Sequence, residues 1–149
     1  MLSPTDKMIF LRRVPLFGGM ALEQLRVLSA HLTEHHYLSD EVVFWEGDFS
    51  QELYIVISGE IAIIKDYGTD HERRLNTLYG GDFFGDMAIF EGAARSATAV
   101  TKSESELLIL QPEKFKQTIY QKPDLAFEIF RELSARIRHR EEELSGERL

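Results

Sequence analysis

Leu22, Leu25, Leu28 and Leu32 recur at spacings of three and four, so the segment from Ala21 to Leu32 predicts an amphipathic helix. The turn Pro15-Leu16-Phe17-Gly18-Gly19 separates it from a shorter helix through Lys7 to Arg12. From Glu34 to Gln111 the helical period disappears. Short β-rich runs replace it: Val42 to Trp45, Leu53 to Ser58, Ile61 to Lys65, Arg74 to Leu78, Ser96 to Thr101 and Leu107 to Leu110. Turn signals fall between them at Glu46-Gly47-Asp48, Ser58-Gly59-Glu60, Tyr67-Gly68-Thr69-Asp70 and Gly80-Gly81-Asp82. Many short strands at regular spacing imply a β-sandwich or barrel, here a β jelly roll with flanking helices.

The helical period returns at Pro112, which opens a helix to about Tyr120, and Pro123-Asp124 opens another that runs to about Leu144. In this last helix Ala126, Phe130, Leu133, Ile137 and Leu144 form one apolar stripe, interrupted by Arg140. A second stripe, Leu125 and Ile129, occupies only the early turns, as expected of a helix that packs on the barrel and then leaves it to meet something else. The predicted organisation is a single domain: a helical segment over 1–33, the jelly roll over 34–111 and C-terminal helices over 112–149. Pairing of the last helix with a second copy is one expectation, and packing on its own domain is the other.

Composition narrows the function. The chain has 149 residues, is 44% hydrophobic and carries no cysteine, which excludes disulfides, a thiolate nucleophile and Cys-ligated zinc or iron–sulfur clusters. Net charge is −8; residues 1–110 carry 9 basic against 17 acidic side chains and residues 111–149 carry 8 of each, so neither part has the basic face that nucleic acid requires. No apolar run reaches the length of a membrane span and the N-terminus lacks a signal-peptide pattern, so a cytoplasmic, membrane-free protein is expected.

The candidate chemistry lies in Phe84-Gly85-Asp86-Met87-Ala88-Ile89-Phe90-Glu91-Gly92-Ala93-Ala94-Arg95-Ser96-Ala97. Arg95 is the sole cation between Arg74 and Lys102, and its small neighbours can neither cover nor pair with it, so it is expected to be open to an anion. A planar guanidinium grips phosphate through two parallel hydrogen bonds, and the Ser96 hydroxyl can add a third. Gly85 lets backbone approach a ligand, and a short helical turn starting near Asp86 aims N–H groups at negative charge. Asp86, an acceptor only, suits sugar hydroxyls. The competing reading is a corner in which Arg95 pairs with Asp86 or Glu91.

This stretch resembles the phosphate-binding cassette of the cyclic nucleotide-binding domain family: Phe84, Gly85, Ala88, Gly92, Arg95, Ala97, Thr98 and Val100 all fit its pattern. The glycine turns at 46–48, 58–60 and 81–85 extend the likeness over Phe10 to Arg140. Asp86 departs from it, standing where the family has Glu on the ribose 2′-hydroxyl and reaching ~1.5 Å less far. The resemblance implies a cyclic mononucleotide ligand, with cyclic AMP ahead of cyclic GMP, bound by Phe84, Gly85, Asp86, Met87, Ala88, Arg95, Ser96 and Ala97. It also implies Ile63 and Leu75 facing base and sugar, although both also read as ordinary core positions. Arg136 or Arg140 from the last helix would stack on the purine or reach its edge, unless both belong to a solvated face. Signalling would proceed through movement of that helix.

Other constellations are weaker. His31 and His35 would share a helix face without an acid to complete a zinc signature, and Asp66 with Asp70 lack the oxygen density of a calcium loop. No nucleophilic triad or phosphate loop is present, so no catalysis and no cofactor are expected. The rival readings are the sensor part of a catabolite-activator-type transcription regulator whose helix-turn-helix lies beyond Leu149, and a module of the same fold that answers to a cyclic dinucleotide or to no ligand.

Overall fold

The computed structural model describes residues 1–86 and 88–147. Helix α1, Pro4–Arg12, begins with a reciprocal cap: Asp6 N donates to Ser3 Oγ at 3.1 Å and Ser3 N donates to Asp6 Oδ2 at 3.2 Å, while Pro4 needs no hydrogen bond at that position. A 3₁₀ turn at Pro15–Phe17 leads to α2, Leu22–Ser29, where Ala21 N donates to Gln24 Oε1 at 2.9 Å. This helix is shorter than its leucine period predicts, because Thr33 already opens a strand.

Eight strands follow: β1 Thr33–Tyr37, β2 Val42–Phe44, β3 Leu53–Ser58, β4 Ile61–Lys65, β5 Arg73–Leu78, β6 Phe83–Phe84, β7 Thr98–Thr101 and β8 Ser105–Leu110. The four-residue helix α3, Ala88–Glu91, interrupts them, and α4 Pro112–Gln121 and α5 Asp124–Glu147 close the chain. The strands form two four-stranded sheets, β1-β8-β3-β6 and β2-β7-β4-β5, in which every neighbouring pair is antiparallel.

The core has two layers because both faces of β3 and β8 are covered. Alternate residues point to opposite faces of a strand. Leu53, Ile55, Leu108 and Leu110 pack on one side against Leu11, Phe17, Leu25, Leu28, Phe115, Leu125 and Ile129 of the helical segments. Tyr54, Val56, Leu107 and Ile109 point the other way, meeting Phe44, Ile61, Phe84 and Ala99 between the sheets. That double burial explains why β3 reads as the unbroken run Leu-Tyr-Ile-Val-Ile rather than an alternation.

Two strands escaped the pattern. β1, with the sequence Thr-Glu-His-His-Tyr, is an edge strand with mostly solvated side chains, and β6 has two residues. His35 consequently lies on β1, where its ring meets Thr33 Oγ1 at 3.2 Å, and the helix face expected to join it to His31 does not exist. The two stripes of α5 separate only in part: Leu125 and Ile129 are buried in the core and Phe130, Ile137 and Leu144 are exposed, but Leu133 of the longer stripe packs against the core and Ala126 is half-buried. Among the described residues no helix is long and apolar enough to cross a membrane.

Candidate functional site

The turn between β2 and β3 is bound to the main chain of Arg95 from both sides. Gly47 N donates to Arg95 O at 2.8 Å and Arg95 N donates to Asp48 O at 2.7 Å. The same segment holds the side chain: Arg95 Nε donates to Ser50 Oγ at 3.1 Å, and Nη2 donates to Glu52 O at 2.8 Å and lies 3.7 Å from Glu52 Oε2. The guanidinium also sits 4.2 Å from the centre of the Phe44 ring. Arg95 is therefore only 6% exposed, with its position set by residues 43 to 51 places earlier in the chain.

This corrects the expectation of an unpaired arginine. Local sequence shows no partner for Arg95, but the fold supplies Glu52 and Ser50. The competing expectation of a pair with Asp86 or Glu91 is not met either. Burial lowers the Arg95 pKa, opposed by Tyr54, Glu52 and Asp48 nearby, and the charge persists because guanidinium does not deprotonate in proteins. Glu52 Oε2 is buried without a hydrogen-bond partner among the described residues, so its negative charge is met by Arg95 across 3.7 Å.

Arg95 forms the floor of a cavity of about 410 Å³. Of the predicted residues, Phe84, Gly85, Asp86, Ala88, Ser96, Ala97 and Ile63 line it with Arg95. Met87 lies outside the described residues. Gly85 is essential to the floor: at φ 78° it adopts a left-handed backbone, and a Cβ there would stand 2.6 Å from Arg95 Nη1 and 2.8 Å from Glu52 O. Nη1, for which no hydrogen bond is found among the described residues, lies against this glycine.

Two predicted residues lie elsewhere. Leu75 is 51% exposed on β5 and is not among the lining residues, because β5 is an edge strand of its sheet and most of its side chains remain in solvent. Arg140 is exposed on α5 and does not line the cavity either. Arg136 reaches the site by another route: its Nη1 and Nη2 both donate to Asp86 Oδ2 at 3.2 Å. The acid expected to face a sugar is thus tied to the last helix.

Sequence reasoning missed Phe44, Glu91, Ala93 and Ala94 as lining residues, and Ser50 and Glu52 as supports. It also missed Lys65, whose Nζ donates to Glu46 Oε2 at 2.9 Å and to Ser96 O at 3.1 Å, fixing the loop after Arg95. The only signal for these was the Glu46-Gly47-Asp48 turn, legible as a turn but not as a clamp. Chemically, the site offers a buried cation for an anion, a carboxylate at the rim for hydroxyls, and apolar walls of Phe44, Ile63, Phe84 and Ala97 for a flat apolar group.

Residues 34–122 match the cyclic nucleotide-binding domain. Over 130 residues the chain is 32% identical to the cyclic AMP receptor protein of Thermus thermophilus, covering 87% of this chain and 60% of that protein. It is 31% identical to the cAMP-activated global transcriptional regulator CRP of Pasteurella multocida, covering 78% of this chain and 56% of the relative. The chain thus spans less than two thirds of the curated relatives it matches. The N-terminal domain of a transcriptional regulator from Streptomyces coelicolor superposes with a TM-score of 0.80 at 27% identity, covering 87% of this chain and 93% of the other. The Thermus thermophilus catabolite activator protein superposes with a TM-score of 0.70 at 32% identity, covering 88% and 62%.

Proposed function

We propose, from the premise that this chain belongs to the cyclic nucleotide-binding domain family, that it is a ligand sensor which binds cyclic AMP and passes its occupancy to α5. The observation that carries the reading is the buried Arg95 guanidinium, held by Ser50 and Glu52 in the lining of a cavity that it shares with Gly85 and Asp86. Such a fork neutralises a cyclic phosphodiester with two parallel hydrogen bonds. Ser96 adds a hydroxyl, Asp86 takes the ribose hydroxyl, and Ile63 with Phe44 and Ala97 packs on the base and sugar. No set of groups arranged for bond making is needed; binding is the whole of the site's chemistry in this reading.

Cyclic AMP is placed before cyclic GMP because the relatives in Thermus thermophilus and Pasteurella multocida are named for it. A cavity of about 410 Å³ lies toward the small end of ligand sites, which favours a mononucleotide over a cyclic dinucleotide. Parallel calorimetric titration with cyclic AMP, cyclic GMP and cyclic di-GMP tests this. One-to-one binding of cyclic AMP, tighter than the other two, is expected; no heat from any of the three would overturn the reading.

Occupancy can shift α5 only if ligand contacts differ between its positions. Leu125 and Ile129 anchor its first turns in the core, whereas Phe130, Ile137 and Leu144 are 58%, 62% and 50% exposed. This uncovered stripe supports pairing of α5 with a second copy of the chain. Sedimentation equilibrium is expected to give a dimer, and Ile137→Glu a monomer; a monomeric unmutated protein would exclude the pairing. The transcription-regulator relatives favour a second reading of the same module, as the sensing portion of a DNA-binding protein. A gel shift with the full-length gene product, with and without cyclic AMP, separates it from a self-standing sensor.

A further inference from the structure

Between α3 and β7 the chain runs from Gly92 to Ala97 without regular structure, so no ladder holds the Arg95-Ser96 limb of the cavity wall. Long-range hydrogen bonds hold it instead. Gly47 and Asp48 clasp the main chain of Arg95, and Glu46 N donates to Thr98 Oγ1 at 2.9 Å. At Ser96 the hydrogen bond found among the described residues comes from Lys65, whose Nζ donates to Ser96 O at 3.1 Å and to Glu46 Oε2 at 2.9 Å. Asp66 N donates to the other oxygen, Glu46 Oε1, at 3.0 Å. Glu46 is thereby fixed at its main-chain nitrogen and at both carboxylate oxygens, and the Lys65 ammonium, with the Asp66 N–H, holds its carboxyl below the usual carboxylate range. A lysine–carboxylate pair near the surface ordinarily contributes little, because ordering two long side chains costs entropy. Here the carboxylate is already placed and the ammonium has a carbonyl as its second acceptor. Neither Lys65 nor Glu46 lines the cavity, whereas Arg95, Ser96 and Ala97 do.

The geometry points to Lys65 as a positioning residue for phosphate recognition: from the end of β4 it ties the Ser96 carbonyl to Glu46 and so decides which phosphate oxygen the Ser96 hydroxyl meets. This rests on the proposed cyclic nucleotide ligand and adds what that reading lacks, a residue outside the cavity that sets the handedness of phosphate capture. The Arg95 fork can face both exocyclic oxygens through two parallel bonds, so it distinguishes them poorly. One hydroxyl held to one side meets only one of them. Without the tie Ser96 swings with its loop, and the distinction is lost although the arginine stays in place.

The two phosphorothioate isomers of cyclic AMP, in which sulfur replaces one or the other exocyclic oxygen, read this directly. Calorimetry compares cyclic AMP and both isomers on the unmutated protein, Lys65→Met, Lys65→Arg, Ser96→Ala and the double variant Lys65→Met/Ser96→Ala. The unmutated protein is expected to prefer one isomer by roughly tenfold or more, the worth of one charge-assisted hydrogen bond. Lys65→Met and Ser96→Ala should each reduce that preference to within about twofold, and the double variant should reduce it no further, because both changes remove the same contact. Lys65→Arg, which keeps the charge and more than one donor, should retain it. A lost charge or a loosened fold would weaken both isomers alike. That outcome in Lys65→Met, or the full preference retained in Lys65→Met or in Ser96→Ala, overturns the proposal. If the unmutated protein binds cyclic AMP without telling the isomers apart, the positioning role fails while phosphate capture by Arg95 stands; if it binds no cyclic nucleotide, the cyclic nucleotide reading itself fails, and this inference with it. Amide hydrogen exchange without ligand gives an independent check: Lys65→Met should speed exchange at Gly47 and Arg95, whose N–H groups close the clasp, and unchanged protection would overturn the brace.

Discussion

Arg95→Ala is expected to abolish measurable binding of cyclic AMP. Removing one member of a desolvated charge pair costs about 2–5 kcal/mol, roughly 30-fold to several thousandfold in affinity. Alanine has a second effect, since Glu52 Oε2 is buried and its nearest compensating charge is Arg95 at 3.7 Å. The loss of binding must therefore be separated from a loss of fold. Arg95→Lys does so: it keeps a positive charge beside Glu52 but gives up the planar fork and the bond from Nε to Ser50. Its melting temperature should stay within a few degrees of the unmutated protein while its affinity for cyclic AMP falls at least about tenfold, one lost charge-assisted hydrogen bond. Calorimetry paired with thermal melts reads both quantities. Unaltered affinity in a folded Arg95→Lys protein would show that the guanidinium fork is not what grips the ligand.

Gly59→Ala is expected to cause the largest loss of stability of any small substitution considered. Gly59 joins β3 to β4 at φ 103°, a backbone region that residues with a Cβ rarely enter. Its missing Cβ would lie 2.1 Å from Ser105 Oγ, 2.6 Å from Ser105 Cβ and 2.7 Å from Ser105 Cα, so rotating the serine cannot relieve the clash. Strain of about 1–3 kcal/mol and overpacking of about 1–3 kcal/mol are comparable with much of the ~5–15 kcal/mol that holds a domain together. For a chain of this length that lowers the melting temperature on the order of 10 °C. Gly146→Ala serves as the control, because nothing stands within 4 Å of a Cβ there and its φ is not positive. It should leave the melt unchanged or raise it slightly. Equal melts for the two variants would disprove the steric account of the β3–β4 corner.

Gly59 shows which part of a corner local sequence reveals and which part it does not. Gly59 was readable as punctuation between two β-rich runs, and both runs occur where expected, at Leu53–Ser58 and Ile61–Lys65. The reason for a glycine there, the approach of β8 at Ser105, involves a strand more than 40 residues later, as 105 − 59 = 46. Polar segments were the hardest to read. β1 carries Glu-His-His on an exposed edge, so no apolar alternation marks it. Leu75 erred the other way, as an apolar residue that the edge position of β5 leaves half in solvent.

Residue order alone determined the longer helices and the apolar strands, though not the polar edge strand β1 or the two-residue β6, since local periodicity and turn chemistry act over a few positions. It also determined that a lone arginine among small residues follows a glycine–acid pair, the cassette that marks the family. Tertiary structure decided how those groups are held. The Phe44–Ser50–Glu52 support under Arg95, the Lys65 brace on Ser96 and the Arg136 grip on Asp86 join residues 31 to 51 positions apart. Such contacts leave no local signature, because a buried charge needs a partner but does not specify where along the chain that partner lies. The folding of two sheets and a crossing helix around one cavity selects it.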